Sequence, residues 1–217
     1  MPVKIDIHSH RSIPDSQNEL KIPNVIVSKD YLIRFPSTSG IHPWYIDEDF
    51  DKQFAALEHY QNTEGVIAVG ECGLDKMIST PWDKQVYAFE KQVDLALKLN
   101  KPLIIHCVRA YSEVFSILQS KKTTVPVVFH GYAKNLELAN LLLGHGYYIS
   151  LGAQILKGGM LELIQNIPLD RLFLETDDKP IKIYEIYAYF CRSRKILQPD
   201  LEMQIMHNFK QVFNYNI

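Results

Sequence analysis

Short apolar runs rich in β-branched residues alternate along this chain with longer stretches of helical periodicity, from the N-terminus to about residue 180. The runs are Val3 to His8, Val25 to Ser28, Ser37 to Ile41, Gly65 to Glu71, Pro102 to His106, Val125 to His130, Gly146 to Leu151 and Arg171 to Thr176. Such alternation builds parallel βαβ units, and eight strands of this kind predict an α/β chain folded as a TIM-type (β/α)8 barrel. The clearest helix opens at Thr80-Pro81, places Val86, Phe89, Val93, Ala96 and Leu99 on one face, and stops at Asn100-Lys101-Pro102. Beyond Lys179 the strand signal ends. Two helices are expected there, Ile181 to Lys195 and Pro199 to Phe213, the second with Leu201, Ile205, Phe209 and Val212 in line.

Residues 11–36 break the pattern. Pro14, Pro23 and Pro36 interrupt them, and no helical face of useful length fits between the first strands. One or two barrel helices are therefore expected to be missing from the 11–40 region. No repeat, low-complexity tract or linker-like stretch divides the rest, so residues 1–217 are read as a single barrel domain.

Composition narrows the function. The 217 residues are 47% hydrophobic, enough to enclose one sizeable core. A formal net charge of −2 supplies no broad positive field for holding a long nucleic acid, so any polyanion must be gripped locally. Cys72, Cys107 and Cys191 show no C-x-x-C spacing and read as reduced thiols. Charges at Lys4 and Asp6 interrupt any apolar leader, and no segment reaches membrane-spanning length; a cytoplasmic protein without a membrane partner is expected.

The chemistry sits at the strand ends. His8 and His10 flank Ser9, and alternate residues of a strand point the same way, so both imidazoles can face one point. Glu71, His106 and His130 each close an apolar run, and Asp177 follows Leu172-Phe173-Leu174-Glu175-Thr176 by one residue. In a barrel these ends converge on the face where active sites form. Singly, each residue has an ordinary alternative: Glu71 in a helix cap or salt bridge, His106 and His130 as hydrogen-bonded core histidines, Asp177 capping a helix. Together, four histidines and two carboxylates exceed the needs of one tetrahedral ion and suit two divalent ions, with Glu71 the natural bridge. Imidazole-rich ligation favours zinc or manganese, whereas magnesium prefers oxygen, so the choice among Zn, Mn and Mg stays open.

Asp6-Ile7-His8-Ser9-His10, Gly40-Ile41-His42-Pro43-Trp44, Gly70-Glu71-Cys72-Gly73-Leu74-Asp75 and Ile104-Ile105-His106-Cys107-Val108-Arg109 resemble the TatD family of metal-dependent hydrolases. Phe129-His130-Gly131-Tyr132, Tyr147-Tyr148-Ile149-Ser150-Leu151-Gly152, Leu174-Glu175-Thr176-Asp177 and Asn208-Phe209-Lys210-Gln211-Val212-Phe213 extend the resemblance over nearly the whole chain. It implies a (β/α)8-type barrel with a divalent metal centre, phosphodiester hydrolysis and, in several members, exonuclease action on DNA ends. The family's ligand positions fall on His8, His10, Glu71, His106, His130 and Asp177. Three features depart from the family pattern: a shorter chain, an abbreviated segment between His10 and Gly40, and Asp178-Lys179-Pro180 in place of a small residue and proline.

The expected reaction uses a water activated between two ions, with Asp177 orienting it and accepting its proton. Arg109, three residues beyond His106, can hold a phosphate in a bidentate fork, or form a surface salt bridge. His42, fixed by Pro43 and Trp44, is a second candidate for a substrate oxyanion or a residue packed behind the site. Trp44 offers an aromatic face for a base, or simple packing. The substrate expected is phosphate-containing, such as a single-stranded DNA or RNA end. Amide or ester hydrolysis on the same scaffold, and a metal-binding interaction protein without catalysis, remain the alternatives.

Overall fold

The computed structural model describes residues 3–11, 14, 16–27, 29 and 36–215. In chain order they form β1 (Lys4–Ser9), β2 (Glu19–Ile26), β3 (Ser37–Gly40), α1 (Phe50–Gln61), β4 (Val66–Asp75), α2 (Trp82–Leu99), β5 (Leu103–Val108), α3 (Tyr111–Ser120), β6 (Val127–Phe129), α4 (Leu136–Gly144), β7 (Tyr148–Leu151), α5 (Leu161–Asn166), β8 (Leu172–Leu174), α6 (Ile183–Arg194) and α7 (Gln198–Phe213). The chain groups into two compact units, Met1–Pro23 with Val128–Ile217, and Asn24–Val127.

In the first unit β1 pairs in parallel with the start of β2, from Lys4 opposite Glu19 to Asp6 opposite Lys21. Parallel pairs also join β6 to β7 and β7 to β8. β8 returns to β1: Asp177 N–H donates to His8 O at 2.9 Å, and His10 N–H donates to Asp177 O at 3.2 Å. The apolar faces of the last two helices cover this layer, with the Phe213 ring 5.9 Å from Phe173 and 4.8 Å from Phe209. Tyr187 of α6 ties to β1 by accepting from Ile5 N–H at 3.1 Å and donating to Ile5 O at 3.0 Å.

In the second unit β2 from Asn24 onward, β3, β4 and β5 pair in parallel and in chain order. Its core joins Val27, Ile41, Leu57 and Leu95, against which Ile46, Phe50, Phe54 and Leu99 pack. α2 buries Ala88, Phe89, Val93, Leu95 and Ala96, and ends where Asn100 turns left-handed at φ 51°.

All eight expected strands form, with shifted ends. β2 begins at Glu19 rather than Val25 and runs through Pro23. Its partner is β1 up to Pro23 and β3 from Asn24, so the missing proline N–H falls where the ladder changes partner. Ser28 of the expected run lies outside the described residues. Between β1 and β2 no helix occurs among the described residues, in line with the abbreviated segment. β6 and β8 are shorter than expected at both ends, although Glu175 N–H, just past β8, still donates to Leu151 O at 3.2 Å. No helix among the described residues is long and apolar enough to cross a membrane.

Candidate metal centre

In the second unit the site starts from glycines. A Cβ on Gly73, at φ 145°, would lie 1.9 Å from His106 O, and one on Gly40 would lie 2.5 Å from Glu71 O. Backbones can approach this closely only without side chains, and the approach sets β4 tightly between its neighbours. Glu71 Oε1 lies 2.8 Å from His106 Nδ1 and 3.2 Å from His42 Nε2, and those two nitrogens are 3.3 Å apart. Ligands ~2.0–2.1 Å from a tetrahedral ion are ~3.3–3.4 Å from one another, so Glu71 Oε1 and His106 Nδ1 lie within reach of one ion, with His42 Nε2 beside them.

Two further residues hold the set in place. Asn24 Oδ1 accepts from Glu71 N–H at 2.8 Å and from the Thr38 hydroxyl at 3.0 Å, while its amide nitrogen lies 3.5 Å from Glu71 Oε2. Asp75 Oδ2 lies 3.2 Å from His106 Nε2 and accepts from Trp44 Nε1–H at 2.7 Å; its Oδ1 accepts from Met77 N–H at 2.8 Å. Burial pushes the Asp75 carboxyl up, but the hydrogen bonds from His106, Trp44 and Met77 outweigh it and bring the pKa down to about 2. Trp44 N–H donates to His42 Nδ1 at 3.1 Å, so a neutral His42 carries its proton on Nε2 and offers a donor there rather than a lone pair.

In the first unit His8 and His10 stand at the end of β1, edge to face with ring centres 5.3 Å apart. Asp177 Oδ1 lies 3.4 Å from His10 Nε2 and 3.8 Å from His8 Nε2. The three offer ligand atoms within 4.8 Å of one another. Asp177 holds a left-handed backbone at φ 55°, a conformation that costs a non-glycine residue about 1 kcal/mol or more. Asp6 braces the residue before it, accepting from Thr176 N–H at 2.9 Å and from its hydroxyl at 2.6 Å. Burial raises the Asp6 carboxyl to about 7, against the lowering effect of these bonds and of Lys21. His130 stacks at a tilt on His8, ring centres 4.3 Å apart, and its Nδ1 lies 3.3 Å from Glu175 Oε1, which also accepts from Gly131 N–H at 2.7 Å.

Of the residues singled out in the sequence, His8, His10, His130 and Asp177 come together in the first unit, and His42, Glu71 and His106 in the second. Arg109 is exposed just past β5 with a left-handed φ of 53°. Asp178 and Lys179, where the family pattern is broken, form an exposed ion pair at 2.6 Å. Asn24, Asp75 and Glu175 were missed. Asp75 carried a signal, since it lies four residues from Glu71 on one strand and so on the same face. Glu175 carried one too, as a carboxylate in a strand end otherwise apolar. Asn24 carried none, lying beside Pro23 in a stretch with no readable period.

Residues 17–214 match the family model for TatD-related DNases. An uncharacterized metal-dependent hydrolase of Buchnera aphidicola is 28% identical over 94% of this chain and 90% of its own length. The 3'-5' ssDNA/RNA exonuclease TatD of Erwinia billingiae is 36% identical over 65% of this chain, and the match spans 56% of that relative. Among solved structures, the TatD homolog YJJV from Escherichia coli K12 superposes with a TM-score of 0.82 at 21% identity, covering 98% of both chains. A TatD-family hydrolase from Entamoeba histolytica gives 0.80 at 17% identity over 97% of this chain and 98% of that one. These likenesses show the (β/α)8-type fold with its parallel strands in chain order. Strand ends rich in histidine and carboxylate, on that fold and under that family model, make the chain a metal-dependent hydrolase belonging to the TatD-related DNase family.

Proposed function

We propose that this hydrolase removes nucleotides from the ends of single-stranded DNA or RNA by cleaving phosphodiester bonds with two divalent ions. The observation that carries the reading is the donor chemistry: histidine and carboxylate donors gather in each unit, His8, His10 and Asp177 in the first and Glu71 with His106, 2.8 Å apart, in the second. His8, His10, His130 and Asp177 are the ligands of the first unit, and Glu71 and His106 those of the second. His42, with its Nε2 proton, serves as a donor to a substrate oxygen instead of a ligand. Imidazole-rich donors favour zinc or manganese, and the four carboxylates among and beside them, Glu71, Asp75, Glu175 and Asp177, keep magnesium in range.

Bound divalent ions supply Lewis acidity and lower the pKa of water to ~7. Asp177 accepts the proton of the attacking water, which its position beside His8 and His10 allows. Arg109 grips the phosphate as a fork, and a net charge of −2 confines that grip to a chain end rather than a long duplex. The name of the Erwinia relative points to the 3′ end as the starting point.

The test is a substrate panel on protein loaded in turn with manganese, zinc and magnesium. Linear single-stranded DNA labelled at its 5′ end should yield a descending ladder, while circular single-stranded DNA and carboxylic esters stay intact. Cleavage of circles at a rate equal to linear strands, or turnover of esters alone, would overturn the proposal.

A further inference from the structure

We infer that Trp44 is a substrate-contacting, specificity-determining residue that stacks on an unpaired nucleobase, an inference resting on the nucleic-acid reading above. The indole is 53% exposed. Tryptophan is a residue whose burial contributes much to folding, so a half-exposed one gains little from its own apolar surface. Holding Asp75 does not require that surface either, since a glutamine or arginine at this position would donate to the same carboxylate.

The ring is fixed at two points. Its Nε1–H donates at 2.7 Å to Asp75, a carboxylate 2% exposed, and its backbone N–H donates to His42 Nδ1 at 3.1 Å. Pro43 opens the short 3-10 helix, Pro43–Tyr45, that carries it. The plane stands nearly perpendicular to His42 at 5.2 Å and steeply inclined to His106 at 6.2 Å, so a flat apolar surface is held at the rim of the Glu71 and His106 donors. The carboxylate that orients the indole also faces His106 Nε2, at 3.2 Å, which fixes the separation between platform and ligand.

A cation lies on the neighbouring ring, Tyr45, whose centre is 6.4 Å from that of Trp44. Lys29 Nζ is 2.7 Å from the hydroxyl of Tyr45, the next residue, and 4.0 Å above its ring. An aromatic face paired with a positive charge is how proteins hold single strands without reading sequence: the base stacks and the phosphate is neutralised. The ligand this fits is a nucleobase with a free face, joined to a sugar phosphate.

The chain has two tryptophans, so Trp82→Phe leaves Trp44 as the only indole emitter. Metal-free Trp82→Phe protein, titrated with a fluorescein-labelled hexathymidylate, should show saturable quenching of Trp44 emission that follows the anisotropy of the label. An abasic oligomer of equal length and charge should bind ~5- to 150-fold more weakly and leave the emission unchanged. Trp44→Ala in the natural background should weaken hexathymidylate binding by a similar factor, with Trp44→Phe restoring most of it. Equal affinity for the base-containing and abasic oligomers, binding without quenching, or no binding would overturn the inference. Cleavage by the unmodified, metal-loaded protein tests the reading beneath it, so the two fail separately.

Discussion

Asp75 and Glu175 each place a carboxylate oxygen against one ring nitrogen of a histidine, His106 at 3.2 Å and His130 at 3.3 Å. A carboxylate there fixes the tautomer, turning the lone pair of the other nitrogen toward an ion. Asp75→Asn and Glu175→Gln keep the shape and remove the charge. Each is expected to weaken zinc binding by about 10- to 100-fold, measured by calorimetric titration of the metal-free protein; unchanged affinity in both would show that the contacts are only structural. Asp177→Asn tests a different role. Measured at metal concentrations that keep the site filled, it should lower turnover about a hundredfold to ten-thousandfold, and near-normal turnover at full metal occupancy would remove Asp177 as proton acceptor. The candidate ligands were legible in the sequence because each ends an apolar run, where a charged or imidazole side chain has no packing reason to stand. Asn24 was not, because its bonds to Glu71 and Thr38 exist only once three strands are side by side.

The strands were legible for the same kind of reason and misread where that reason lapses. β4 is buried along its whole length and β5 over its first three residues, so both open as continuous apolar runs. β2 instead carries Glu19, Lys21, Pro23 and Asn24 in its first six residues. Its polar members are buried against partners that no local pattern announces: Lys21 Nζ lies 3.2 Å from Glu19 and 3.9 Å from Asp6. The glycines of β4 could be read as chain punctuation, yet they are packing residues. Gly73→Ala would set a methyl 1.9 Å from His106 O and impose a side chain on a φ of 145°. β4 and β5 must then separate at His106. The expected loss is about 2–5 kcal/mol, read from the urea midpoint, with metal affinity falling alongside; a midpoint within experimental error of the parent would mean the strands slide apart at no cost.

At the scale of the molecule, periodicity was enough to give eight parallel strands and two closing helices, because each element repeats its signal over many residues. Substrate handling was less legible, since it depends on a few exposed side chains that follow no period. A chain with net charge −2 cannot hold a polyanion by a distributed field. If Arg109 and Lys29 provide the phosphate contacts, two phosphates are neutralised per bound strand. For single strands the slope of log affinity against log salt is then about −1.4, from ~0.7 per phosphate neutralised. A shallow slope means affinity comes chiefly from stacking and from the ions, so binding should persist at salt concentrations that strip a basic nucleic-acid protein from its ligand. Anisotropy titrations of metal-free protein between low and high salt measure this directly. A slope steeper than about −3 would require more cationic contacts than these two residues provide and would place the strand on a different surface of the chain.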